Sequence, residues 1–533
     1  MKNNLIAAAL LGLVCALPVQ AANLKLLNVD EAGVGFNDPA PATPVGGNSG
    51  TTVGQQRLIA YQKALELWGK TLRSKVDITV QGSFARLTCD AGSGVLAQAG
   101  ATFIFSDFPN APLPGHWYHS ALADALSGSD LVEPDFGPGV PDIIANFNGA
   151  VGQQDCIAGP GWYYGLDNNA PAGQIDFLDT FMHEVAHGLG FSNFANELSG
   201  TTPAGLPDVY MANTLDLTFG LPWNSTVFGD ETPLFIQFSA RNTGNVVWSG
   251  PKVTAGGALV LGPYQGIRVT GTLNQELVFG TASFGPAPTA ENFGGEIQVV
   301  NDGVGVGTDG CSSFTGMAGK IAFMDRGVCG FAVKAKNAQL AGAKGVIIGN
   351  NQPGGAIGLG GSDPTITIPT ISVSQADGTA IKAASPGVSV EFFSDPTRKA
   401  GTNQGLVRLY APATVALGSS ISHFDTVAAP NLLMEPFINA DLRSARNLDL
   451  TPALMQDIGW QMETLKIGTC DTGVPNYLAN GDLLHVKLEA CNGARNRGQF
   501  VSCTNGVTNP LVGSGLLTGA QKGAITSCAG RAN

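Results

Sequence analysis

Phe181-Met182-His183-Glu184-Val185-Ala186-His187-Gly188-Leu189-Gly190-Phe191 carries two histidines four positions apart. On a helix, positions four apart share a face, so His183 and His187 can aim both imidazoles at one ion. Zinc takes imidazole nitrogen at roughly 2.0–2.1 Å, and a catalytic site uses three protein ligands with one position left for water. Glu184 stands beside the first ligand, where it could accept a proton from such a water. An HExxH string also arises by chance on solvated helices. Here Phe181, Met182, Val185, Ala186 and Leu189 surround the polar residues, which predicts a mostly buried helix. Two His and a Glu on a buried helix require partners.

Gly190 follows His187 by three residues and can take the positive φ that stops a helix at once. Three residues beyond it stands Asn193, which is not a usual zinc ligand, so a third ligand must come from elsewhere. The chain has six histidines: His116, His119, His183, His187, His423 and His485. Of these, His423, in Ser420-Ile421-Ser422-His423-Phe424-Asp425, is the best candidate third ligand, and Met434 follows in Asn431-Leu432-Leu433-Met434-Glu435-Pro436. The run HEVAHGLGFS, a long insertion, then SHFD and NLLMEP resembles the metzincin zinc peptidases, in particular the leishmanolysin-type branch. That resemblance implies that His183, His187 and His423 bind the metal, that Gly190 makes the turn beneath it, and that Met434 is the Met-turn residue. As plain packing, Met434 would serve the core equally well. Glu197 is the alternative third ligand, but Gly200-Thr201-Thr202-Pro203 breaks the chain before a second ligand helix could form. His116 and His119 flank Trp117-Tyr118 in a Pro-rich loop and read as structural sooner than as a second metal site. His485 falls in the cysteine-rich tail and is expected to have no catalytic part.

Met1-Lys2, the apolar run Leu5 to Leu17 and Pro18-Val19-Gln20-Ala21 read as a signal peptide over residues 1–21. The run is too short for a membrane span, so an exported protein is expected, secreted or periplasmic. Loss of Lys2 takes the formal charge from −13 to −14, a balance that repels nucleic-acid phosphates. Only 13% of residues are charged while 44% are hydrophobic, which fits a loop-rich folded protein and not a disordered one. Length alone suggests about three domains. Of nine cysteines, Cys15 lies in the leader; the remaining even number supports disulfides in an exported chain. Their clustering suggests Cys89 with Cys156, Cys311 with Cys329, and two bridges among Cys470, Cys491, Cys503 and Cys528, whose pairing stays open.

Gln55 to Leu72 predicts an amphipathic helix, Val76 to Val80 a strand, and Pro141 to Asn148 a further strand, the candidate edge for an extended peptide. The metal helix is expected to begin near Ile175, with Asp176 and Asp179 favouring its dipole. From about 265 to 395 apolar runs alternate with Gly-rich turns. Gly319-Lys320-Ile321-Ala322-Phe323-Met324-Asp325-Arg326-Gly327-Val328-Cys329, then Ala341-Gly342-Ala343-Lys344-Gly345-Val346-Ile347-Ile348-Gly349-Asn350, predict a β–α–β unit. This segment resembles the protease-associated (PA) domain, and the likeness implies a Cys311–Cys329 bridge and a part in substrate access or protein binding. Leu450 to Trp460 predicts a short closing helix, with Pro452 at its start, Gly459 at its stop, and Asp449 or Thr451 as cap.

The expected fold is therefore α+β: a metzincin-like catalytic domain in two parts (22–264 and 396–465), interrupted by a β-rich α/β PA domain (265–395) and followed by a small Cys-rich region (466–533). The expected function is a zinc endopeptidase acting on protein or peptide substrates, with Glu184 as general base and one zinc ion. Tyr163 or Tyr164 are candidate extra donors to the oxyanion. An acidic exported chain is compatible with calcium, but no loop here has calcium-binding spacing. A non-catalytic adhesin that keeps a zinc site is the competing reading, and an intact Glu184 weighs against it. The residues say nothing about oligomeric state.

Overall fold

The computed structural model describes residues 21–531 apart from 91–92, 172, 353–354 and 362, so the expected leader lies outside the described residues but for Ala21. The chain begins with strand β1 (Leu24–Asn28), helix α1 (Val53–Gly69), β2 (Ile78–Ala85), β3 (Ala97–Ala101), helix α2 (Ser120–Ser127) and β4 (Ile143–Asn148). These strands form one sheet in the order β1–β2–β4–β3, with β1, β2 and β4 parallel and β3 antiparallel at the edge. The strand at 143–148 is thus central, not the expected edge, and the edge strands are β1 and β3. Alternating buried positions in β4 showed that one face is covered but could not show what pairs on either side. Helix α1 starts where the Thr52 hydroxyl accepts the Gln55 N–H and ends at Gly69, short of Leu72. Leu72 is buried because it bridges to Met462, a contact that imitates helical periodicity in the sequence.

Helix α3 (Phe177–Leu189) carries the two histidines, and all of its residues are buried. Asp176 caps it, accepting the N–H groups of Leu178 at 2.9 Å and Asp179 at 3.2 Å. Its apolar face stacks on the sheet and on α1, with Phe181 against Tyr61 at 4.0 Å and against Phe147 at 5.3 Å between ring centroids. Gly188 lets α3 approach β4 closely, since a β-carbon there would lie 2.3 Å from the Ile143 side chain.

Beyond α3 come β5 (Thr214–Asp216), β6 (Val246–Trp248) and helix α4 (Pro251–Val260). A second sheet then begins, built from β7 (Pro263–Gly271), β8 (Gly294–Val299), β9 (Ile321–Asp325), helix α5 (Phe331–Leu340), β10 (Gly345–Gly349), β11 (Thr370–Val373), helix α6 (Gln375–Ala384) and β12 (Val388–Lys399). Its order is β7–β12–β8–β9–β10–β11, with short strands at Gln275–Leu277 and Gly280–Thr281 on the two edges. β8, β9, β10 and β11 run parallel, with α5 making the crossover from β9 to β10. Two apolar clusters cover this sheet, one including Ile267, Phe323, Ile347 and Ile381, the other Met324, Ala335, Val346 and Ile348. Cys311 and Cys329 are bonded beside β9.

The chain returns through β13 (Leu406–Arg408), which pairs antiparallel with β6: Val247 opposite Arg408 and Trp248 opposite Val407. Residues before and after the inserted sheet therefore share one ladder and one core, in which Met182, Trp248, Met434 and Leu454 all lie. The closing helix α7 (Thr451–Asp457) packs on α4, and Trp460 just after it donates its Nε1–H to the Leu189 carbonyl at 2.8 Å. Asp449 accepts the Thr451 N–H at 3.0 Å at its start. A hairpin of β14 (Thr464–Ile467) and β15 (Cys470–Pro475) and helices α8 (Leu484–Glu489), α9 (Arg497–Gly513) and α10 (Gly519–Ala529) enclose a separate small core around Leu484, Leu511 and Ile525. Here the structure pairs Cys470 with Cys528 and Cys491 with Cys503; Cys89 and Cys156 are bonded near β3. Among the described residues no helix is long and apolar enough to cross a membrane.

Candidate metal centre

Three imidazoles converge where α3 meets the loop after β13. His187 Nε2 lies 3.1 Å from His183 Nε2 and 3.2 Å from His423 Nε2, and His423 Nε2 lies 3.2 Å from His183 Nε2. Each ring directs its other nitrogen at a backbone carbonyl: His183 Nδ1–H to Leu433 at 2.7 Å, His187 Nδ1–H to Phe191 at 2.8 Å, and His423 Nδ1–H to Ser419 at 2.8 Å. Carbonyls only accept, so each Nδ1 holds the proton and each Nε2 presents a lone pair. Burial keeps the rings neutral, pushing His183 down to about 3, His187 to about 4 and His423 well below the usual range. Three lone pairs at this spacing cannot hydrogen-bond one another; a cation between them turns repulsion into coordination. A tetrahedral zinc at its usual bond length would hold the three nitrogens about 3.3–3.4 Å apart, close to the spacing found. Among the described residues this is the one group of three or more His, Cys, Asp or Glu side chains able to share an ion.

Local chain geometry explains each histidine's place. Gly190 caps α3 at φ 130°, a conformation that disfavours a side chain, and a β-carbon there would lie 2.6 Å from Ile458 of the closing segment. The turn brings Phe191 back, so that its carbonyl orients His187. His423 sits on a loop pinned to β13 and the chain just after it: the Tyr410 N–H bonds the His423 carbonyl at 2.9 Å, the Ile421 N–H bonds the Tyr410 carbonyl at 2.7 Å, and Arg408 pairs with Asp425 at 2.6 Å. Met434 is buried against this loop, its carbonyl accepting the Phe424 N–H at 2.8 Å.

Asn193, at the position where a compact signature would place its third histidine, holds Ser422 instead. Its backbone N–H and its side-chain Nδ2 reach the Ser422 hydroxyl at 3.2 and 3.0 Å, one residue from His423. Glu197, the alternative ligand, accepts from Asn193 Nδ2 at 3.2 Å and stands outside the histidine group. Asn193→Ala removes the Nδ2 bond and keeps the backbone one, and is expected to weaken zinc binding about 10-fold while leaving its stoichiometry at saturation unchanged, as loss of other supports of metal ligands does. Competition with a zinc-sensitive dye measures this, and affinity within twofold of wild type would show that Ser422 needs no holding.

Glu184 is buried beside the group, and the Ala99 N–H of edge strand β3 hydrogen-bonds its carboxyl. Burial raises this carboxyl to about 8, against the pull of that hydrogen bond. Tyr163 and Tyr164 are turned to other partners: Tyr163 donates to Asp167 at 2.7 Å, and Tyr164 receives Arg57 Nε at 2.8 Å. His119 is a packed residue whose Nε2 meets the Ser192 hydroxyl at 2.7 Å, His116 Nε2 meets Asn224, and His485 is held by Asn476. The Asn193–Ser422 tether and the Leu433 and Ser419 carbonyls were not readable as site elements, because nothing in a sequence marks which carbonyl will face an imidazole.

Residues 295–381 match the family model of the PA domain, which identifies the inserted sheet and leaves the three histidines outside the matched region. A "Receptor homology region, transmembrane domain- and RING domain-containing protein 1" of Oryza sativa subsp. japonica is 34% identical over 22% of this chain and 22% of its own length. "Leucine aminopeptidase 2" of Arthroderma otae is 48% identical over 12% of this chain and 13% of its own. The chain thus spans about a fifth or less of these curated relatives. Among solved structures, BSAP, a zinc aminopeptidase from Bacillus subtilis, overlaps 28% of this chain and 37% of its own at 21% identity and a TM-score of 0.19. An overlap of that extent and score does not identify the catalytic unit.

Proposed function

We propose that this protein is an exported zinc-dependent endopeptidase whose catalytic unit is metzincin-like and assembled from 22–264 and 396–465 around the inserted PA domain. The observation that carries the reading is the triad of Nε2 lone pairs closing on one point beside a buried glutamate. His183, His187 and His423 would hold the ion, and bound zinc would supply the Lewis acidity that makes water nucleophilic near neutral pH and stabilises a developing oxyanion. Glu184 takes the proton from the attacking water and returns it to the leaving amine. Its link to Ala99 places that carboxyl at the outer edge of β3, where the edge groups that Glu184 does not occupy would pair with an extended peptide and hold the scissile bond within reach. The carbonyls of Leu433, Phe191 and Ser419 keep the three rings in the tautomer a metal needs. The Leu433 carbonyl on His183, next to buried Met434, supports the Met-turn reading. Four disulfides fit export to an oxidising compartment.

Metal analysis of the purified full chain should find one zinc per molecule. Dipicolinate should abolish casein hydrolysis, and stoichiometric zinc should restore it. Hydrolysis that persists in zinc-free protein would exclude this mechanism. The bridge-braced scaffold and the three carbonyl anchors predict that the apoprotein stays folded, so circular dichroism should change little on zinc removal.

A further inference from the structure

A cavity of about 360 Å³, within the range of small-molecule sites, opens at the carboxyl ends of β1, β2 and β4. Loops diverge at that end of a parallel sheet and leave a gap where ligands bind. Ala85 ends β2 and Gly149 follows β4; both line the cavity with Val34 and Asp38 of the loop after β1, Arg57 of α1, and Phe84. Gly188, next to His187, packs on Ile143 at the opposite end of β4. The length of that strand, roughly 17 Å, therefore separates the cavity from the histidine group.

Arg57 is only 8% exposed, and its guanidinium lies 4.0 Å from the centre of the Phe84 ring. Nε donates to the Tyr164 hydroxyl and Nη1 to the Gly35 carbonyl, both at 2.8 Å. Those two bonds tie α1 to the loop after β1. They leave three of the five guanidinium donors without a hydrogen bond among the described residues. A buried charge is costly unless it is paired and hydrogen-bonded. Asp38 keeps its Oδ2 3.8 Å from Arg57 Nη1, beyond hydrogen-bond reach, while its Oδ1 accepts the Ala40 N–H at 2.8 Å. Asp30 has its two oxygens on the Phe36 and Phe84 N–H groups, and Arg86, which also lines the cavity, is paired with Asp155 at 2.9 Å. A cation and an anion side by side, with no hydrogen bond between them, match a ligand that carries both charges. An α-amino acid does so: its carboxylate would take open Arg57 donors and its ammonium Asp38 Oδ2, so that the charges alternate. A simple anion would meet Arg57 but be repelled by Asp38. Phe84, Ala85 and Val34, the last 52% exposed, offer a side chain an apolar wall.

We infer that this cavity binds a free α-amino acid with an apolar side chain, its carboxylate on Arg57, its ammonium on Asp38 and its side chain against Phe84 and Val34. The site needs neither zinc nor turnover. Isothermal titration calorimetry of L-leucine into the full chain should show one saturable site. Removal of the metal with dipicolinate should leave it unchanged, which separates it from coordination at the histidines. N-acetyl-leucine and leucinamide, each lacking one of the two charges, should bind about tenfold or more weakly, the expected loss of a charge-assisted bond. Asp38→Asn, which keeps an acceptor for the Ala40 N–H, should weaken leucine to a similar extent. Val34→Trp, which fills the cavity from an exposed position, should do the same without touching a buried charge. Thermal unfolding matched to the parent shows that each variant folds. The assignment is overturned by no saturable binding at millimolar leucine, or by affinity within twofold of wild type in either variant. Binding lost with the metal, or inorganic phosphate or N-acetyl-leucine binding as tightly as leucine, would overturn it equally.

Discussion

Glu184→Gln should lower kcat/KM on casein by about 100- to 10,000-fold, the usual contribution of a positioned general base, while one zinc per chain is retained. That loss corresponds to roughly 3–5 kcal/mol of transition-state stabilisation. The amide oxygen of Gln can still accept the Ala99 N–H, so the change removes a proton acceptor and little else. Burial raises the Glu184 carboxyl to about 8, which means that its ionised form is costly to hold in the zinc-free fold. The zinc-free Gln variant should therefore melt no lower than zinc-free wild type at pH 8. Casein turnover within tenfold of wild type, with zinc bound, would remove Glu184 from the chemistry.

His423→Ala carries the other large effect. Zinc-site binding energies of about 10–16 kcal/mol, shared over four donors, give roughly 2.5–4 kcal/mol per ligand, or about a 70- to 900-fold loss of affinity. Hydrolysis at limiting zinc should vanish with it. Without metal the expected sign reverses. The substitution takes away one of three lone pairs packed 3.1–3.2 Å apart, so the zinc-free variant should be at least as stable as zinc-free wild type. Dye competition measures the first effect and scanning calorimetry in dipicolinate the second. Unchanged affinity would place the third ligand elsewhere. Asn193→Ala, which loosens the loop without removing a donor, should fall between His423→Ala and wild type.

Periodicity located α3 to within two residues at its start because its signals are local: an Asp at the cap, apolar residues around the histidines, and a glycine where the chain must reverse. The β–α–β run of the inserted unit was legible for the same reason, since buried parallel strands appear as unbroken apolar runs such as Gly345–Gly349. Strand order was not. The stretch around Ile143 was expected at an edge, and its place in the middle was decided by β2 and β3 pairing on either side of it. The tail's cysteine pairing was likewise settled by how α10 packs on β15, not by spacing.

The amino-acid sequence alone determined the donor chemistry: two histidines one helical turn apart, a glutamate between them, and a reserve of four other histidines from which a third could come. The SHFD and NLLMEP runs pointed to His423 among those four, and tertiary structure decided whether it reaches the pair. Pairing of β6 with β13 across the inserted sheet sets His423 beside α3, and the Asn193 bonds to Ser422 hold it there. Such a choice depends on hydrogen bonds between segments more than two hundred positions apart, and local sequence cannot encode their distance.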